Sequence, residues 1–272
     1  MIVSVAMNAR GVRSVEQSVC VMLDVLRASS TMLAMFEAGA RELLLAETPE
    51  SALAVAAARR DEYYVCGERA GLKVDGFDYG NSPAEVAEGD LSGRQIIFVT
   101  SNGTAALRAI SAAPVVLVGS PRNEVAVVRQ ATREAAARGC NIVILCAGDQ
   151  GGYGISLEDT FVAGMLVDRL MKLSPRRLAP GEAATGPDAL ALDDSAIVAH
   201  RLFRSYVGGS GSGGKPGHAT RETLLSMFSE SRRGRELPQI GFETDLEYCS
   251  AIDVTTVVPR LAMDGATLTV VA

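Results

Sequence analysis

The sequence predicts an α/β protein, a largely parallel sheet with helices on both faces and a smaller helical part towards the C-terminus. Two observations carry this. Short valine-rich apolar runs alternate with segments of helical length, the pattern of strands joined by crossover helices. Hydrophobic residues make up 48% of the 272-residue chain, yet much of this is alanine, aromatics are only 5% and tryptophan is absent. Such a composition suits helices packed closely on a sheet better than an aromatic-rich binding face.

Residues 2–6 and 18–23 read as strands. Residues 29–38 carry apolar side chains at helical spacing and are closed by Gly39 as a C-terminal cap. Residues 43–46 form the next strand, and 49–60 an alanine-rich helix with Pro49 in its first turn. Residues 63–66 are a strand that runs into a charged, glycine-rich loop, 67–83, with almost nothing able to pack a core. Then come a strand at 95–100, a helix at 104–111, a strand at 115–118 and a long helix at 123–138. The most apolar strand is 141–146, followed by a glycine-rich loop and a helix at 157–172. The remainder is less regular. Residues 174–185 read as a connector, 188–206 as a helix and 208–217 as a flexible Gly/Ser stretch. Helices at 221–231 and 245–252 and strands near 255–258 and 267–271 complete the chain. The expectation is one unit, 1–272, with a main sheet lobe at 1–173 and a minor lobe at 186–272 packed on it.

Composition removes several functional classes. The net charge is −6 and no run of Lys or Arg occurs, so nucleic acid is not an expected partner. Residues 1–13 lack a charged-then-apolar leader, and no apolar run approaches the ~18–20 residues that span a bilayer. The five cysteines (Cys20, Cys66, Cys140, Cys146, Cys249) are odd in number and lack metal-type pairing. Reduced, structural thiols in a cytoplasmic protein are the expectation. Self-association into a homo-oligomer is left open.

Ligands in open α/β sheets bind beyond the carboxyl ends of the strands, and four such junctions are unusually polar. The first is Asp24-Val25-Leu26-Arg27-Ala28-Ser29, where Asp24 leaves a buried strand. A free charge is costly there. The second is the 67–83 loop, with Glu68, Arg69, Lys73, Asp78 and Asn81. The third, Thr100-Ser101-Asn102-Gly103-Thr104, offers hydroxyls and free N–H groups at a helix start. The fourth ends in Ser156-Leu157-Glu158-Asp159, which reads as a capping box with Asp in place of Glu or Gln. Carboxylates beside anion-binding groups, with only His200 and His218 as histidines, suit Mg²⁺ and phosphoryl chemistry on a small anion. The cysteine-phosphatase loop, the paired aspartates of haloacid-dehalogenase phosphatases and the Gly-x-x-x-x-Gly-Lys-Ser/Thr loop are all missing.

The blocks DVLRASST, GERAGLKVDGFDYGNSP, TSNGT, CAG…GISLEDT and GFETDLEYC, in this order, resemble the Mg²⁺-dependent 2-phosphosulfolactate phosphatases of coenzyme M biosynthesis. The resemblance runs from the first strand to Pro259. It implies a three-layer α/β/α fold and hydrolysis of (2R)-2-phospho-3-sulfolactate to 3-sulfolactate and phosphate. Ser101 stands where the family more often has Thr, and residues 149–155 are a few residues longer than usual. By position in the matching blocks, Asp24, Arg27 and Glu68 are the catalytic candidates, and Asp24, Glu158 and Asp159 the metal candidates. Arg69, Lys73, Asp78, Asn81, Ser101, Asn102, Gly103 and Thr104 are the substrate-binding candidates. Arg27 is assigned to the phosphate and Arg69 with Lys73 to the sulfonate. The sequence leaves open whether Asp24 attacks phosphorus or holds the metal, and whether another small 2-phospho-hydroxyacid is the substrate. A non-catalytic binding protein for such acids is the rival class. Glu243, Asp245 and Glu247 are left out of the site, because acids before a helix are equally consistent with compensation of its dipole.

Overall fold

The computed structural model describes residues 1–58, 62–173, 176–177, 189–208, 217–264 and 267–272. In chain order these form β1 (Ile2–Ala6), β2 (Ser18–Leu23), α1 (Ala28–Glu37), β3 (Glu42–Leu45), α2 (Pro49–Ala57), β4 (Tyr63–Arg69) and β5 (Leu72–Lys73). Next come α3 (Pro83–Ala87), β6 (Gln95–Val99), α4 (Gly103–Ala109), β7 (Val115–Gly119), α5 (Glu124–Arg138), β8 (Asn141–Cys146) and α6 (Leu157–Leu173). The chain continues with β9 (Arg176–Arg177), β10 (Ala189–Leu192) and α7 (Asp194–Val207), then α8 (Arg221–Glu230), α9 (Arg232–Gln239) and α10 (Glu243–Cys249). It closes with β11 (Arg260–Asp264) and β12 (Thr267–Val271).

All the strands join one mixed sheet in the order β5-β4-β6-β3-β12-β11-β7-β2-β8-β1-β10-β9. It consists of two parallel blocks, β4-β6-β3 and β7-β2-β8-β1-β10, joined through the antiparallel hairpin of β11 and β12. Alternation along β2 shows why its run is apolar throughout. Val19, Val21 and Leu23 face a core shared with α5, α6 and α7, while Cys20 and Met22 face a second core. That second core surrounds α1, of which every residue from Ala28 to Met35 is buried, and draws on β3, β6, β7, β11 and β12. The sheet thus wraps around α1 and brings the carboxyl ends of β2 and β6 together at its first turn. A small third core sets α2 against β4 and β6. Helices lie on both faces, as expected for an α/β protein. Among the described residues no helix is long and apolar enough to cross a membrane.

Several element boundaries differ from expectation for physical reasons. The helix expected at 188–206 begins only at Asp194, where Asp193 caps it by accepting the Ala196 N–H at 2.9 Å. Ala189–Leu192, good helix formers by themselves, pair instead with the open edge of β1. The strand expected at 255–258 starts beyond Pro259, which has no N–H to give a ladder. Helix α9 was not foreseen, because Ser231 both ends α8 and caps α9, accepting the Gly234 N–H at 3.0 Å. The helix expected at 245–252 starts and ends earlier, at Glu243–Cys249. The 67–83 loop is not free of core packing. It opens with the β4–β5 hairpin, and Phe77 is buried with Ala52, Ala56, Val65, Ile97 and Val99. Most of the 174–185 connector and of the 208–217 stretch lies outside the described residues.

Helices α6 and α7 meet at Gly164, where an added β-carbon would lie 2.1 Å from the Ala199 carbonyl oxygen and 2.8 Å from Phe203 Cβ. No flexible side chain is available to yield. Gly164→Ala should therefore cost about 1–3 kcal/mol. The check is a denaturant midpoint compared with wild type at unchanged m-value.

Candidate active site

Asp24 follows β2 directly and is 8% exposed. Its Oδ1 accepts the Ala28 N–H at 3.2 Å, and its carbonyl accepts from the Ser29 hydroxyl at 2.9 Å, so the chain turns at once into α1. The other oxygen faces Gly103. A β-carbon there would lie 3.1 Å from Asp24 Oδ2 and 2.9 Å from Ala28 Cβ, so glycine is required by close approach.

Glu68, near the end of β4, is 4% exposed and accepts two backbone N–H groups at 2.7 Å, from Gly71 at Oε2 and Ser101 at Oε1. It fastens the β4–β5 turn to the loop after β6. The preceding Gly67 sits at φ +143°, with a β-carbon position only 2.0 Å from the Val99 carbonyl oxygen. Only glycine fits there.

The start of α6 supplies two more buried acids. Ser156 caps the helix by accepting the Asp159 N–H at 3.1 Å, but the expected reciprocal box does not form. The Asp159 carboxylate turns away from the cap, accepting Val25 N–H at 2.8 Å and Gly148 N–H at 3.3 Å. It bridges the segments that leave β2 and β8, whose buried N–H groups need partners more than the helix start does. Glu158, 5% exposed, lies beside it.

These acids crowd one another. Burial lifts the Asp24 carboxyl to about 6; the Ala28 N–H and Arg233 oppose this, while Glu68 and Glu158 add to it. Burial also raises Glu158. It raises Asp159 well above the usual carboxylate range, helped by the charges of Asp24 and Glu158. Among the described residues no three potential ligands converge as a ready-made metal cage.

Asp24, Glu158 and Asp159 line a cleft of about 120 Å³. The start of α9 also lines it, with Ser231, Arg232 and Arg233. Arg232 is engaged by Asp149 across the mouth and by Glu236 at 2.6 Å. Among the described residues Arg233 pairs with Glu236, at 3.4 Å. Neither arginine was foreseen. The signal was present in Ser231-Arg232-Arg233-Gly234, because two cations in the first turn of a helix oppose its dipole and need an external reason.

A family description, 2-phosphosulpholactate phosphatase, matches residues 7–264. The chain belongs to the 2-phosphosulfolactate phosphatase family. Proteins named probable 2-phosphosulfolactate phosphatase are similar along nearly their whole length. The one from Deinococcus radiodurans is 35% identical over 244 residues, 89% of this chain and 87% of that protein. The one from Thermosynechococcus vestitus is 33% identical, covering 88% and 87%, and that from Thermotoga petrophila 32%, covering 91% and 90%.

In this member of the 2-phosphosulfolactate phosphatase family, the fold gathers Asp24, Glu68, Asn102, Gly103, Glu158 and Asp159 around the cleft. Asn102 lines it while its Oδ1 accepts the Gly151 N–H at 3.0 Å. Thr104 and Asn81 are buried, and Thr104 Oγ1 and Asn81 Oδ1 are without protein hydrogen-bond partners. Ser101 is exposed and gives its backbone N–H to Glu68.

Other candidates are spent elsewhere. Arg27, expected at the phosphate, is 3% exposed and committed to Asp245 at 2.7 Å, to the Gly71 carbonyl at 2.6 Å and to the Phe242 ring. Arg69, expected at the sulfonate, pairs with Glu50 on the surface, where such a pair contributes under about 1 kcal/mol. Lys73 is exposed on β5, and Asp78 closes the loop by accepting the Val65 N–H at 2.7 Å. Asp245, left out of the expected site, is fully buried and also binds Ser82 Oγ at 2.6 Å.

Two outcomes follow from these contacts. Arg27→Ala strands the Asp245 charge in the interior and should cost about 3–5 kcal/mol, read as a lowered denaturation midpoint. Asp24→Asn should do the reverse in chelator-treated protein. A carboxyl that ionises near 6 when folded, against an ordinary value of 3.8, lowers stability as pH rises through that interval. The Asn variant should therefore be more stable than wild type by roughly 2 kcal/mol at pH 7.5, with the gain gone at pH 4. Chemical denaturation at both pH values checks it.

Proposed function

We propose that this chain is a magnesium-dependent phosphatase that hydrolyses (2R)-2-phospho-3-sulfolactate to 3-sulfolactate and phosphate. One observation carries the chemistry. The fold crowds buried carboxylates at the carboxyl end of β2 and the start of α6, at a cost in stability, in a cleft that arginine also lines. Membership of the family supplies the substrate class.

The donor set fits a hard divalent cation. Asp24 and Glu158 are buried oxygen donors held above the usual carboxylate range, and a cation would restore their ionised forms. The want of a complete protein cage suits Mg²⁺, which keeps waters and takes phosphate oxygens beside one or two carboxylates. Bound there, the ion would neutralise charge on the phosphoryl group. Asp24 and Glu158 are its proposed holders. Asp159 sets the spacing between the segments after β2 and β8. Glu68 holds the Gly71 and Ser101 backbone in place beside Asp24. The unpartnered Asn81 Oδ1 and Thr104 Oγ1 lie in the GNSP and SNGT blocks that adjoin α1, and are available to a bound ligand or ordered water.

Phosphate release should be seen with Mg²⁺ and lost on chelation, with a higher kcat/KM for phosphosulfolactate than for phospholactate or phosphoglycolate. Asp24→Asn should lower kcat by roughly 10²–10³-fold while the protein stays folded. Release unaffected by chelation would remove the metal from this reading. Binding without turnover of any of the three acids would replace the phosphatase with a binding protein.

A further inference from the structure

Arg233 occupies an unusual electrostatic position. It stands second in α9, where the helix dipole disfavours a cation. Among the described residues its one ion-pair contact is a 3.4 Å approach to Glu236 on the same helix. Its charge acts on Asp24 and on Glu158, yet it is hydrogen-bonded to neither. Its Nη1 lies 3.3 Å from where a Gly71 β-carbon would be, beside the turn whose N–H Glu68 accepts. The neighbouring Arg232 differs, since Asp149 and Glu236 both hold it. Arg27 differs too, with its guanidinium consumed by Asp245 and Gly71. Among the described residues that line the cleft, Arg233 is therefore the cation with donors to spare, in the same cleft as Asp24, Glu158 and Asp159.

Asp24 and Glu158 would hold a divalent cation that neutralises phosphoryl charge, and a guanidinium lining the same cleft would donate to the phosphoryl oxygens. We propose that Arg233 is the phosphoryl-binding arginine of this site, a role that rests on the phosphatase reading for its chemistry but on the cleft geometry for its place. Arg232 is the positioning residue. Its contact with Asp149 joins the start of α9 to the glycine-rich loop after β8 and so fixes the segment that carries Arg233.

Inorganic phosphate, as the common product, is the probe. Its equilibrium binding to the Mg²⁺-supplied protein is measured by calorimetry for wild type, Arg233→Ala, Arg233→Lys and Arg235→Ala. Arg235 lies on the same helix but does not line the cleft, donating to the Glu230 carbonyl. Arg233→Ala should weaken phosphate roughly 10- to 100-fold with little change in thermal midpoint. Arg233→Lys should recover part of the loss, and Arg235→Ala should bind as wild type does. Wild-type affinity in Arg233→Ala, an equal loss in Arg235→Ala, or no phosphate binding by wild type would each overturn the assignment. Phosphate binding that depends on Arg233 in a protein with no turnover would keep the assignment and remove the phosphatase reading.

Discussion

The cleft depends on the buried ion pair between Arg27 and Asp245. Both side chains are essentially removed from solvent and lie 2.7 Å apart. Arg27 also donates to the Gly71 carbonyl and lies 4.4 Å from the Phe242 ring centroid. Asp245 also accepts from the Ser82 hydroxyl and the Ala84 N–H. Four segments distant in sequence are fixed at one point: the start of α1, the β4–β5 turn, the start of α3, and α10 with the residue before it. A buried pair of this kind adds little net stability over an apolar substitute, but it tolerates no misalignment. Its contribution here is register. It holds the α10 segment, and with it the preceding α9, at a set distance from the turn that Glu68 braces.

Around that fixed point the molecule tolerates an unfavourable concentration of negative charge. Asp24, Glu68, Glu158 and Asp159 are each less than a tenth exposed. Some of this cost is offset locally, because Glu68 and Asp159 each accept two backbone N–H groups that would otherwise be unsatisfied. The rest is not offset by Arg233 alone. Burying carboxylates at positions 24 and 158 is therefore a cost that packing by itself does not explain.

The sheet explains how loops from both parallel blocks reach one place. An uninterrupted parallel sheet would spread the ends of β4, β6, β2 and β8 along a line. Inserting the β11–β12 hairpin between β3 and β7 reverses strand direction, and the sheet then wraps around α1. Gly103 after β6 is thereby brought against Asp24 after β2. The closing strands therefore position a site whose residues are mostly far from them in sequence.

Much was legible without coordinates. Runs such as 141–146 and 18–23 read as largely buried strands, and polar residues stationed just beyond them marked the candidate site. Asp24, Glu68, Glu158 and Asp159 could be picked out because acids at the ends of apolar strands or in tight glycine-flanked turns are costly, and local sequence carries that cost. Which cation served which purpose could not be read. Arg27 and Arg69 stand next to the key acids in sequence, yet one is consumed by Asp245, 218 residues away, and the other by Glu50 on the surface. Arg233, remote in sequence, lines the cleft with the acids instead. The same division runs through the secondary structure, where Ala189–Leu192 became a strand because β1 offered an open edge. Local propensity and burial are properties of a segment and were determined by the sequence itself. The partner of a long charged side chain, or of an edge strand, depends on what the rest of the chain brings within a few ångströms, and only the tertiary structure decided that.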